Sequence, residues 1–179
     1  MDKEKQEWLK SLRLVIIIVT VGIVVRTLFF SPIIVDGPSM LPTLEDRDQM
    51  IINKFIYRFK EPERFDIVVF HASEEEDFIK RVIGLPGEHV AVKDGSLYID
   101  DEIIEEPYIK QNNTKEQSSF QLEKLRGSYK KIPEGYILVL GDNRNNSKDS
   151  RDFGLVKIKD VVGKANFIYW PIQRIKNVN

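Results

Sequence analysis

The stretch from Leu12 to Phe30 constrains this chain most. It is apolar on every side apart from Arg13, Thr20 and Gly22 inside the run and Arg26 and Thr27 towards its end. A helix without a polar face belongs in a large core or in lipid. Its length is close to the ~20 residues that cross ~30 Å of hydrocarbon, and arginines near the ends of a span can extend their guanidinium groups to the headgroups. At the extreme N-terminus a membrane anchor is the expected reading. A cleaved leader is disfavoured, because Leu28-Phe29-Phe30-Ser31-Pro32 lacks the small-residue pattern that precedes such a cut. Residues 1–13 carry one more positive than negative charge, which puts the N-terminus in the cytoplasm. The organisation expected is a cytoplasmic tail over 1–11, a transmembrane anchor over 12–31 and an extracytoplasmic domain over 32–179.

The domain reads as mainly β, an antiparallel sheet protein. Gln49–Asn53, Asp66–Phe70, Asp77–Gly84, Gly135–Leu140 and Val161–Trp170 are short runs rich in β-branched and aromatic residues, bounded by turn formers. Between His89–Lys93 and Ser96–Asp100 lies Asp94-Gly95, which favours a type I′ hairpin turn. Residues near 108–133 turn polar and uneven and are expected to leave the sheet as a loop or small excursion. The Ser128-Tyr-Lys-Lys131 match to S-x-x-K stands without the companion motifs of that chemistry, so it is assigned to chance. The sequons Asn112-Asn-Thr114 and Asn145-Asn-Ser147 are similarly discounted.

Composition removes several function classes. A net charge of -1 gives no footprint for a nucleic-acid partner. The absence of cysteine excludes thiol catalysis, disulfides and thiolate metal sites. Two histidines, His71 and His89, stand apart without metal-ligand spacing, so no metal and no cofactor are expected.

What remains is hydroxyl chemistry. Ser39 lies in Val35-Asp-Gly-Pro-Ser-Met-Leu-Pro-Thr43, between two prolines and just beyond the anchor. Extended chain covers at most ~3.6 Å per residue, so Ser39 is held within about 30 Å of the bilayer surface. The apolar cluster of Phe29, Phe30, Met40, Leu41 and Leu44 around it fits either core or a patch that dips into lipid. A serine needs a base to take its proton. Sequence distance alone does not exclude a histidine triad. A lysine base needs its pKa lowered by about 3 units, which burial must supply. Lys80 is the best-placed lysine: on an extended strand it shares a face with Phe78 and Val82, which would wall the amine with apolar groups. Arg81 cannot be the base, because guanidinium stays protonated.

Three motifs then stand in order after the anchor: Gly37-Pro-Ser-Met-Leu-Pro-Thr43, Lys80-Arg-Val-Ile-Gly-Leu-Pro-Gly87, and Gly141-Asp-Asn-x-x-x-Ser-x-Asp-Ser-Arg151. Together they resemble bacterial type I signal peptidase (leader peptidase) of the short, single-span Gram-positive kind, over nearly the whole chain. The resemblance implies a Ser-Lys dyad endopeptidase on an antiparallel β fold, cutting signal peptides from exported preproteins at the outer face of the membrane, with membrane lipid as its other partner. It implies Ser39 as nucleophile and Lys80 as general base. Ser147 would orient the lysine, Asp149 and Arg151 would pair in support, Met40 would sit at the membrane-facing edge, and Asp142 counts among the supporting residues. Some relatives carry a serine two residues before the nucleophile as an oxyanion donor. Gly37 stands there in this chain, so the hole would rely on backbone N–H groups, including that of Ser39. The competing reading is a non-enzymatic, membrane-tethered β domain that binds extended peptides by strand addition.

Overall fold

The computed structural model describes residues 2–73, 76–109, 119–125 and 127–178, with the side chains of 2–4 and 25–28 outside the description. The sequon at 112–114 and the side chain of Arg26 therefore lie outside the described residues, as do residues 110–118 and 126 of the polar excursion. A helix, α1 (Asp2–Phe29), leads into the domain. From Leu14 to Val24 its apolar side chains are exposed rather than packed on the domain. Among the described residues, no helix is long and apolar enough to cross a membrane.

The chain passes from α1 into strand β1 (Phe30–Ile34) without a linker. The sheet thus begins one residue before the boundary expected at 31. β1 forms the outer edge of an eight-stranded sheet. That sheet also holds β2 (Gln49–Asn53), β3 (Ile67–His71), β4 (Asp77–Gly84), β9 (Tyr136–Leu140), β10 (Val156–Lys157) and β11 (Val161–Trp170) in the order β1-β2-β11-β3-β4-β9-β10, with β12 (Lys176–Asn177) paired to β11. An edge position tolerates Pro32, which has no N–H to give a ladder. The second, four-stranded sheet runs β7-β6-β5-β8, built from β5 (Val90–Lys93), β6 (Ser96–Ile99), β7 (Glu102–Ile104) and β8 (Phe120–Gln121). Every pairing among these strands is antiparallel. Asp94 and Gly95 both take positive φ, 49° and 77°, as the type I′ turn between β5 and β6 requires.

Both faces of the large sheet are covered. Val68, Phe70, Val82, Ile137 and Val139 form a core on one side. Met40, Leu44, Met50, Ile67, Ala165 and Ile168 form another. A third joins Ile83, Leu138 and Leu140 to the second sheet. Burial on both faces explains why β3 reads as a nearly continuous apolar run rather than an alternating one. β4 is buried from Lys80 to Gly84 even though it carries Lys80 and Arg81, so the base of a side chain that leaves it there is enclosed.

Candidate active site

Ser39 stands on the segment that joins β1 to β2. The ends of this segment are tied together, with Val35 N donating to Asp48 O at 2.8 Å and Arg47 N donating to Val35 O at 2.9 Å. Arg174 donates from Nε and Nη2 to the Asp48 carboxylate, both at 2.9 Å. Met40 and Leu44 anchor the loop from below, each fully buried. This corrects the expectation for Met40. It faces the core, not a membrane edge, because the turn that presents Ser39 to the cleft drives the next side chain inward. Of the aromatic and aliphatic cluster read as either core or lipid patch, Met40 and Leu44 are core, Phe29 packs edge-on against Phe55, and Phe30 remains exposed.

Lys80 comes from β4, opposite Val68 of β3 in the ladder. Its Nζ lies 3.0 Å from Ser39 Oγ and donates to the Ile79 carbonyl at 2.8 Å. The side chain is almost wholly buried, with Nζ over the face of the Phe78 ring, 5.2 Å from its centre. Phe78 therefore does supply part of the apolar wall. Burial lowers the lysine to about 8, against the opposing pull of Asp149 and Asp142. Among the described residues Lys80 forms no ion pair, so its charge has no direct compensation.

The histidines are engaged elsewhere. His71 Nδ1 is 2.6 Å from Asp77 Oδ1, and His89 Nε2 is 3.0 Å from Glu123 Oε1. No group of described side chains is arranged to hold a metal ion.

The loop from Gly141 to Gly154 braces the nucleophile from behind. Asn143 N donates to Ser39 O at 3.0 Å, and its side-chain amide donates to Pro38 O at 3.1 Å. Gly141 is pressed so closely that a Cβ there would stand 2.2 Å from Ser147 Oγ and 2.5 Å from Ser39 O. Asp149 accepts from Gly141 N at 3.0 Å and takes two bonds from Arg151, each 2.8 Å. It also caps a short helix, α2 (Ser150–Phe153), in a capping box with Asp152. That helix lies inside what composition presented as turn. Ser147 Oγ is buried beside Gly141 and among the described residues has no hydrogen-bond partner, so the bond to Lys80 implied by the resemblance is not made here.

Asp142 does not approach Lys80 as a partner. It receives Arg81 Nε and Nη2 at 2.8 and 2.6 Å, together with the Thr43 hydroxyl. Arg81, passed over as a base, is thus the counterion of the bracing loop, and its guanidinium stacks 3.9 Å from the centre of the Tyr108 ring. Glu106 forms a buried pair with Arg144, whose Nε donates to Gly141 O at 3.0 Å. The Lys80-Arg81 dipeptide was the available signal for Arg81, since adjacent strand residues point to opposite faces. Glu106 and Tyr108 carried no signal because they sit at the edge of a polar stretch.

Gly37 adopts φ 87°, a left-handed conformation that favours glycine, and its N–H is committed to Asp46 Oδ1 at 2.9 Å. Among the described residues, Ser39 N has no acceptor, and it opens on a cleft of about 370 Å³ lined by Ile33, Gly37, Ser39, Ile79, Lys80 and Asn146. An unpaired donor beside a buried lysine–serine contact is the arrangement an acyl-transfer site needs.

Comparison with known proteins agrees. The model of the family "Signal peptidase, peptidase S26" matches residues 5–170. The chain belongs to this signal peptidase family. It is 46% identical to a signal peptidase I of Bacillus caldolyticus, over 83% of this chain and 84% of that relative. It is 38% identical to a signal peptidase IB of Staphylococcus aureus (strain Mu50), over 99% of this chain and 95% of the relative. The crystal structure of a signal peptidase I from Enterococcus faecalis V583 shares the antiparallel fold with a TM-score of 0.52 at 40% identity, covering 59% of this chain and 97% of that one. The signal peptidase family thus accounts for the fold and for the order of the three motifs along this chain.

Proposed function

We propose that this protein is a membrane-anchored serine endopeptidase that removes signal peptides from exported preproteins, with Ser39 as nucleophile and Lys80 as general base. The observation that carries the reading is the 3.0 Å contact between Lys80 Nζ and Ser39 Oγ, made by a lysine whose pKa burial lowers to about 8. At neutral pH a usable fraction of that lysine is uncharged. Neutral Nζ takes the Ser39 hydroxyl proton as Oγ attacks the scissile carbonyl. The developing oxyanion is stabilised by Ser39 N–H, with Gly37 N–H excluded while Asp46 holds it. Lys80 then passes its proton to the leaving amine; in the second half, neutral Lys80 Nζ takes a proton from water as the water attacks the acyl carbonyl, and returns it to Ser39 Oγ as the ester bond breaks.

The edge of β1 faces the same cleft as Ile79 and Lys80 of β4. It supports binding of an extended substrate by main-chain pairing. The anchor reading rests on the exposed apolar side chains from Leu14 to Val24 and on the charge bias of residues 1–13, and it places the N-terminus in the cytoplasm with the β domain outside.

Cleavage of a quenched preprotein peptide by the full chain in detergent tests the assignment. Lys80→Ala is expected to lose about 10²- to 10⁴-fold in kcat, the usual value of general-base catalysis, and Ser39→Ala to abolish acyl-enzyme formation. Near-normal turnover by Lys80→Ala refutes the dyad, and tight peptide binding without turnover by the unmodified protein favours the non-enzymatic reading.

A further inference from the structure

A second groove, of about 300 Å³, adjoins the cleft that holds Ser39. The two share Phe78 and Lys148 as their common wall. Phe70, Phe78 and Phe153 pack on one another, with ring centres 5.9 to 6.2 Å apart, and form the floor. Lys148 stands on the divide. Its Nζ is 5.6 Å from the centre of the same Phe78 ring that carries Lys80 Nζ at 5.2 Å. The two ammonium groups are therefore no more than about 11 Å apart. Unlike Lys80, Lys148 is exposed, and among the described residues it forms no ion pair.

The chemistry of the cut says what passes this point. The leaving amine must sit at Lys80 Nζ to receive its proton. The groove beyond the Phe78 ring offers an exit for the chain that begins at that amine. Extended peptide rises about 3.3 Å per residue, so its second and third residues come within reach of Lys148.

Resting on the proposed Ser39–Lys80 reaction, we propose that the groove beyond Phe78 receives the first residues on the leaving side of the cut, and that Lys148 sets a preference there for an acidic side chain over a basic one. The aromatic floor contacts any side chain without regard to sequence, which suits a segment that differs from one preprotein to the next. The groove's lining also carries Lys157, Glu76 and Asp160, but the charge on the wall it shares with the Ser39 cleft is that of Lys148, and there the first residues are read. An exposed pair of this kind is worth about 2- to 5-fold in rate, enough to rank substrates without excluding any.

The test uses full-length protein in detergent and quenched peptides identical up to the cut, with Glu, Gln or Lys at the second or third position after it. The expected order of kcat/KM is Glu above Gln above Lys, with about 5-fold between the ends at low salt and less at 0.5 M salt, where the Debye length shortens. Lys148→Glu inverts the order, and Lys148→Ala flattens it. Peptides that end one residue after the cut lose rate relative to longer ones in the unmodified protein. An order unchanged in Lys148→Glu, or a charge effect that follows positions before the cut, overturns the assignment. Either result leaves Ser39- and Lys80-dependent cleavage intact, so it is distinguishable from failure of the dyad itself.

Discussion

Replacing Lys80 with methionine destroys the proposed base, yet it should raise stability at neutral pH. In the folded protein burial lowers the lysine from 10.5 to about 8, with Asp149 and Asp142 opposing the shift. The unfolded chain keeps the ordinary value. Between the two pKa values the unfolded state binds more protons than the folded one, so the unmodified protein gains stability as pH rises from 8 to 10.5. Below 8 the full cost of charging a buried amine is present, about 3 kcal/mol at 1.36 kcal/mol per unit. Methionine has nearly the same volume and removes that cost. It also removes the bonds to Ser39 Oγ and Ile79 O, at about 1 kcal/mol each. The expected net effect at pH 7 is about 1 kcal/mol in favour of Lys80→Met, or about 2–4 °C in Tm for a chain of this size. By pH 9.5 the unmodified protein recovers about 2 kcal/mol of the burial cost, so the order of the two melting temperatures reverses. Scanning calorimetry of both full-length proteins in detergent, at pH 7 and pH 9.5, measures the difference. All other titrating groups are common to the pair and cancel. A Tm difference that does not move with pH would show that Lys80 is not buried with a lowered pKa, and the mechanism would lose its base.

Two further outcomes follow from the bracing loop. Gly141→Ala places a methyl group 2.5 Å from the carbonyl of Ser39 and 2.2 Å from Ser147 Oγ; kcat is expected to fall at least about 100-fold, since a shift of about 1 Å at the nucleophile has that cost, while KM for peptide changes little, and unimpaired turnover would show that the loop is not rigidly seated. Arg151→Met strips the partner from Asp149, whose charge then acts on Lys80 unopposed; the midpoint of the pH–kcat/KM curve should move upward from about 8, and a fixed midpoint would mean that Asp149 is screened from the lysine.

The strands were legible as short runs rich in β-branched and aromatic residues between turn formers, even where burial alternates, as in β2, or where charge interrupts the run, as in β4. Gln49–Asn53, Asp77–Gly84 and Val161–Trp170 fall where composition placed them. The hairpin at Asp94-Gly95 was legible because positive φ at two successive residues admits few sequences. β1 was hidden, since Phe30 continues the apolar run of the helix before it and Ser31-Pro32 inside the strand reads as a break rather than as a strand. Met40 was placed at the membrane edge by the resemblance, and a motif says nothing about the direction of a side chain, which here enters the core. α2 was hidden inside a run of Asp, Asn and Ser, where only Asp149 and Asp152, three apart, signal a cap. The Ser39–Lys80 approach and the Asp149–Arg151 pair were nameable from motifs, but the Arg81–Asp142 and Arg144–Glu106 pairs were not, because their members come from segments far apart in the chain.

Those ion pairs bear directly on how a lysine is kept usable as a base. Asp142 and Asp149 are buried and both act on Lys80 to favour its charged form; Glu106 is the buried partner of Arg144 in the same loop. Each is occupied by a guanidinium: Arg81 on Asp142, Arg151 on Asp149, Arg144 on Glu106. Arginine suits this role because it is never deprotonated and its fork matches a carboxylate in two bonds. Buried pairs of this kind return little stability beyond their desolvation cost, so their value lies elsewhere. They let the loop use a carboxylate to hold Gly141 N and to cap α2 while each guanidinium offsets part of the pull of that charge on the lysine. Lys80 is left as the one amine at the site with a hydroxyl, a carbonyl and an aromatic face for neighbours, and it is that lack of a counterion, as much as burial, that keeps its proton transferable.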